Sequence, residues 1–268
     1  MPATIFAVLA AVLYITAAAL QLLHTVQRRG PLSRSFVVLS AAALVCHIAV
    51  VAHDIFPGGS IELGFYKVSA VIFLVINLLC LASLSRRPLQ NLLVVLYPLS
   101  AIAVLVSHFA PNTGFRSDMP TGIMIHIVSS IVAYAVLTLA AVQAALLAVQ
   151  DHQLKSRHTR GLVQVLPPLQ LMETMLFELL WVGELLLTLA IVSGFVFLDD
   201  IFAQSLVHKT VLTIVAWALL AILLWGHHRL GWRSTTAVKF TLSGFALLVL
   251  AFYGSKLVLE LILQRPAG

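Results

Sequence analysis

Eight stretches of mostly apolar residues dominate this chain: 4–23, 36–54, 65–84, 90–109, 121–149, 177–198, 208–228 and 236–262. A helix crosses the hydrocarbon core with about 20 apolar residues, and lipid offers no partner to an open backbone. The chain is therefore expected to be all-α: a bundle of eight transmembrane helices forming a single membrane domain over residues 1–268. The fifth stretch is long enough to project beyond the bilayer. Charged residues make up 10% of the chain, against about 25% in soluble domains, so little is left for a soluble domain. The net charge of +6 does not point to nucleic acid, because the basic residues are spread over the loops. The partner that this composition demands is the lipid bilayer.

The loops alternate in charge. Arg28, Arg29 and Arg34 fill the first, Arg86 and Arg87 the third, Lys155, Arg157 and Arg160 the fifth, Arg229 and Arg233 the seventh. The second holds Asp54 and Glu62, the fourth Arg116 with Asp118, the sixth Asp199 and Asp200. Basic loops stay cytoplasmic, which places both termini outside. The first apolar run starts next to Met1 with its arginines after it, the reverse of a signal peptide, so it reads as a retained span. The fifth loop, roughly 150–176, contains a helix-breaking pair, Pro167 and Pro168, then an amphipathic start to span six; it reads as a cytoplasmic elbow on the membrane surface. Cys46 and Cys80 lie in apolar runs and form neither a disulfide framework nor a CxxC site.

Ionisable groups within spans are costly and mark functional candidates. His47 and His126 each lie roughly 8–10 Å below the outer surface at about 1.5 Å per residue, on different spans. Two neutral imidazoles facing each other can bind a metal or a haem iron. His53, His108 and His208 form a rim at the outer ends of spans two, four and seven, which Lys67 could join to meet an anionic ligand. His227 and His228 sit at the inner end of span seven. The plainer alternative for each is a hydrogen bond across helices or interfacial placement. Glu184 is as compatible with an interfacial position as with function. Trp181, Trp217, Trp225 and Trp232 fall toward helix ends or interfaces, where aromatic belts belong, and Lys256 can snorkel outward. His126, Ser130, Tyr134 and Thr138 recur at four-residue steps, a polar seam near one helix face.

Several motifs resemble one family. "HIVSSIVAYAVL", with Tyr134 and Ala135 following His126, is similar to the histidine-and-tyrosine helix of the cytochrome c assembly membrane proteins, the CcsA/CcmC group. "VGELLLTLAIVSG" and "GHHRLGWR" followed by "SGFALLVLAFYGSKLV" resemble later helices of that group. The resemblance is strongest over 120–262 and points to the compact YpjD-like branch. It implies a bacterial inner (cytoplasmic) membrane protein that handles haem near the outer face, with a cytochrome c assembly partner or another membrane protein. It sets His126 at the first external haem-ligand histidine, His227 at an inner membrane histidine, and Lys209 near a family lysine. The family's tryptophan-rich outer segment is absent, since "LDDIFAQSLVHK" contains no tryptophan, and the second external histidine is missing.

The leading expectation is thus a haem-binding and haem-presenting module without covalent chemistry of its own. Its candidate cofactor contacts are His126, as the iron ligand, with His47, His227, His53, His108 and His208. The first alternative is an accessory or regulatory subunit that keeps the scaffold without haem. The second is a small-solute or ion transporter using His47, His126 and Glu184.

Overall fold

In a computed structural model of the chain, residues 2–27, 34–56, 61–84, 90–111, 116–117, 120–156, 166–197 and 207–254 are described. Among them are eight long helices: α1 (Pro2–Val26), α2 (Arg34–Ile55), α3 (Phe65–Ser83), α4 (Gln90–Phe109), α5 (Thr121–Lys155), α6 (Leu169–Phe197), α7 (Val207–Leu230) and α8 (Ser234–Val249). A π-helical turn, Leu250–Gly254, continues α8. All eight are long and apolar enough to cross a membrane. A two-residue antiparallel pair, β1 (Ile61–Glu62) with β2 (Arg116–Ser117), sets Ile61 opposite Ser117. The expected all-α fold with eight spans is what forms. The charge-based placement of the termini remains an expectation, and Lys256 lies outside the described residues.

The chain divides into two compact units, Met1–Asp118 and Met119–Gly268. In the first, α1 packs against α2 and α4, and α3 closes the ring between them. Lipid tails are as apolar as leucine, so helices here gain from close backbone approach and polar contacts. Accordingly α1 presents Ala3, Ala7, Ala10, Ala11, Ala17 and Ala18 to its neighbours, all buried. Outward faces carry exposed Val38, Val45 and Ile102, as a lipid-facing surface requires.

In the second unit α5 packs on α6 and α8, and α7 on α6 and α8. A Cβ on Gly183 would lie 2.5 Å from Leu137 Cδ2, so glycine is what lets α6 settle onto α5. Gln143 Nε2 donates to the Met172 carbonyl at 3.0 Å and Gln150 Nε2 to the Pro167 carbonyl at 2.9 Å, extending this seam toward the basic-loop end.

The elbow expected over 150–176 is shorter than sequence suggested. Residues through Lys155 belong to α5, and α6 begins at Leu169. Pro167 and Pro168 start a helix rather than break one. A proline lacks the N–H that a first turn leaves unused, and the Pro168 carbonyl accepts from the Leu171 and Met172 amides. Residues 157–165 lie outside the described residues.

Candidate functional site

His126 sits in the second turn of α5, where that helix meets the last turns of α6. A Cβ on Gly122 would lie 2.3 Å from the Phe197 ring, so the two helix ends approach closely. This brings His126 Nδ1 to 2.8 Å from the Ala190 carbonyl oxygen, with Ser193 Oγ at 3.4 Å. A carbonyl only accepts, so Nδ1 carries the proton and Nε2 keeps a free lone pair. Metal-bound histidines are oriented in this way, by a backbone carbonyl on the nitrogen away from the metal. The ring is half-buried, and Lys209, in the first turn of α7, lies on its side of the unit.

The polar seam on α5 splits between two neighbours. Each four-residue step turns about 40° around a helix of 3.6 residues per turn, so His126 and Tyr134 face different helices. Tyr134 donates its hydroxyl to the Leu248 carbonyl of α8 at 2.6 Å, and Thr138 donates to the Tyr134 carbonyl at 2.7 Å. Directly beyond Leu248 comes the π turn, a local feature frequent at functional sites. Its Phe252 ring lies 5.3 Å from Tyr134, centroid to centroid, and 5.6 Å below Lys209 Nζ. His126, Lys209 and Phe252 thus gather around the ends of α5, α7 and α8. Phe252 was not among the sequence candidates.

His227 is held at the opposite end of the unit. Its Nδ1 donates to the Trp232 carbonyl at 2.8 Å, and its ring stacks on Phe177 at 3.5 Å. Gly231, with φ of 67°, makes the reversal into α8 and permits that bond. Glu173 accepts from the Ser234 amide at 3.1 Å with Arg233 Nε 3.8 Å away, a carboxylate at the positive end of α8. Glu184 lies midway along α6, away from either helix end; it is buried, and neither carboxylate oxygen has a partner. Trp217 lies mid-helix in α7 rather than toward an end, and its Nε1 donates to Thr188 Oγ1 at 2.9 Å. His208 is exposed in the first turn of α7.

His47 belongs to the first unit. It is fully buried, with Nδ1 3.1 Å from the Tyr14 hydroxyl and the Ala70 backbone of α3 beside the ring. His53 and His108 do come together, ring centroids 6.5 Å apart. Asp54 joins them: His53 Nδ1 lies 2.9 Å from Oδ1 and His108 Nδ1 3.2 Å from Oδ2. The other nitrogen of His108 meets Thr4 Oγ1 at 3.0 Å. Sequence reasoning treated Asp54 as a loop charge and missed Thr4, because partners about a hundred residues apart leave no local pattern. Lys67 is buried in an ion pair with Glu62, so its charge is answered from within the protein. Among the described residues no three His, Cys, Asp or Glu side chains gather in a form that holds a metal ion. Cys46 and Cys80 are free and buried.

The family profile described as "Cytochrome C assembly protein" matches residues 8–263, including the first third, where sequence motifs carried little. The chain is 33% identical over 261 residues to inner membrane protein YpjD of Escherichia coli K12, covering 96% of this chain and 99% of that protein. The same figures hold for YpjD of Escherichia coli O157:H7. It is 32% identical over 197 residues to a 28.8 kDa protein in the nifR3-like 5′ region of Azospirillum brasilense, covering 72% of this chain and 71% of that one. No solved structure matches the chain.

Proposed function

Because the chain belongs to the cytochrome c assembly protein family, we propose that it handles haem near the outer face of the bacterial inner membrane, with His126 as the iron ligand. Names of its relatives support the membrane assignment. The basic odd-numbered loops support an orientation with both termini, and hence the His126 end of α5, outside. The single observation that carries the haem reading is the bond from His126 Nδ1 to the Ala190 carbonyl at 2.8 Å. It fixes the ring and leaves Nε2 as an unprotonated donor atom. Haem supplies an iron that accepts one or two such nitrogens. In this reading Lys209 answers an anionic edge and Phe252 offers an apolar ring face. His126 is a binding residue; no covalent step is assigned to this chain.

A second reading, a membrane accessory subunit that keeps the scaffold without haem, draws on a separate observation. The other candidate histidines are largely committed: His227 is stacked and hydrogen-bonded, His108 is bonded through both nitrogens, and His47 is sealed. The absorption spectrum of the detergent-purified chain separates the two. A Soret band that appears on haem loading in the wild type and is lost in His126→Ala supports haem binding through His126. No band in the wild type after loading refutes it.

A further inference from the structure

We propose that the first four-helix unit carries an acyl-transfer site, with Thr4 as nucleophile and His108 as its base, which hydrolyses fatty-acid esters at the membrane surface. It rests on residues of α1, α2 and α4 alone. It is independent of His126 and of the haem reading, which assigns the chain no covalent step.

Three helix ends meet at this site. Thr4 lies in the first turn of α1, Asp54 in the last turn of α2 and His108 in the last turn of α4. Thr4 Oγ1 is 3.0 Å from His108 Nε2, and His108 Nδ1 is 3.2 Å from Asp54 Oδ2 and 3.3 Å from Oδ1. Donors and acceptors alone place the protons. An ionised carboxylate only accepts, so Nδ1 of His108 carries the hydrogen. Nε2 is then a bare lone pair, and the Thr4 hydroxyl donates to it. A hydroxyl proton aimed at an imidazole, with that imidazole held in its tautomer by a carboxylate, is the arrangement that activates a nucleophile. Asp54 is a positioning residue here. His53 Nδ1 lies 2.9 Å from Asp54 Oδ1, which steadies the same carboxylate from the other side.

Thr4 differs from the other helical threonines. Thr16, Thr138, Thr174, Thr188 and Thr213 each donate to the carbonyl four residues back. No helical carbonyl precedes Thr4 in its first turn, so its hydroxyl turns to the neighbouring helix. For the same reason the amides of Ala3 and Thr4 have no carbonyl one turn earlier to bond. Amides beside a nucleophile stabilise the oxyanion of a tetrahedral intermediate. A latch between helices is satisfied by any donor and acceptor; here hydroxyl, imidazole and carboxylate stand in series.

Burial and neighbours select the substrate. The Asp54 and His108 side chains are 11% and 13% exposed, so water screens their interaction weakly. Thr4 itself is only half-buried, and His53, 63% exposed, opens the cluster to water. Ile5 and Phe6 follow Thr4, Phe109 follows His108, and all three are exposed. α1 is long and apolar enough to span the bilayer, so its first turn lies at the membrane surface with apolar side chains around it. A carbonyl at the head of an alkyl chain suits that position.

Thr4 Oγ attacks the ester carbonyl carbon while His108 Nε2 takes its proton. The intermediate then breaks its bond to the alcohol oxygen, the alcohol leaves with that proton, and the acyl group remains on Thr4. Water adds to this acyl-threonine and gives a proton to Nε2. On collapse Thr4 Oγ recovers the proton and the fatty acid departs. The sum is ester plus water to alcohol plus acid.

The test uses the full chain in detergent micelles with p-nitrophenyl octanoate, and in phosphatidylethanolamine/phosphatidylglycerol vesicles assayed for released fatty acid. The wild type is expected to hydrolyse the octanoate about a hundredfold faster than protein-free micelles, the lower end of what a positioned base contributes. Thr4→Val keeps the side-chain shape and should fall to the protein-free rate with unchanged helical content. Thr4→Ser keeps the hydroxyl and should still hydrolyse. A fluorophosphonate, which yields its fluoride to an activated hydroxyl, should attach to Thr4. Fatty acid released from the vesicles marks phospholipid as the ester source, and turnover of the octanoate alone marks another fatty-acid ester; either upholds the site. A wild type no faster than protein-free micelles overturns the proposal, and so does a Thr4→Val or His108→Gln variant that hydrolyses like the wild type.

Discussion

The buried pair Glu62–Lys67 offers a measurement whose size follows from burial. The two side chains are 5% and 9% exposed, so solvent barely screens them. Removing one partner leaves an uncompensated buried charge, which costs about 3–5 kcal/mol. Lys67→Met and Glu62→Gln should each destabilise the chain by that amount. At about 2–4 °C per kcal/mol for a chain near this size, each should lower the melting temperature in detergent by roughly 6–20 °C. The double variant removes both charges and should recover most of that loss, because replacing a whole buried pair by neutral groups is often close to neutral. A double-mutant cycle isolates the coupling. If the double variant melts as low as the two single effects added together, the charges do not act on each other and the reasoning fails.

Three other outcomes are expected. Gly183→Leu would drive a side chain into Leu137, whose Cδ2 lies 2.5 Å from the position of a Cβ; overpacking of this kind costs about 1–3 kcal/mol, read as a lower melting temperature, and an unchanged value would show that α5 and α6 can separate freely. Tyr134→Phe deletes the 2.6 Å bond to the Leu248 carbonyl and should cost about 0.6 kcal/mol, the average for a polar contact between membrane helices, measured by equilibrium unfolding in mixed micelles. Alkaline phosphatase should be active when fused to either terminus and inactive when inserted in the loop after α5, and activity at that loop would reverse the orientation drawn from loop charge.

Hydropathy made the spans legible because the bilayer sets their length, and all eight form. The start of α6 was misjudged by about eight residues. Pro167–Pro168 breaks a preceding helix and suits the beginning of a following one equally well, and sequence does not say which applies. The division into two four-helix units is invisible to hydropathy, since every span has the same composition whichever neighbour it meets. His126 was legible as a candidate from its depth and its motif. Its partner was not, because a backbone carbonyl can come from any residue. His47 matched His126 in depth, yet depth says nothing of azimuth, and His47 finds its partner in Tyr14 of its own unit. The π turn that carries Phe252 leaves no mark in the hydropathy that located its helix.

One consequence concerns α5, which runs unbroken over 35 residues. At about 1.5 Å per residue it is roughly 52 Å long, against a hydrocarbon core of about 30 Å. His126 rides near one tip of this stiff rod and Asp151 and Lys155 near the other. Gln143 and Gln150 fasten its far half to α6 and to the proline that leads into α6. A load placed at the Lys155 tip is therefore borne by the same unbroken backbone that carries the imidazole, roughly 44 Å away at about 1.5 Å per residue.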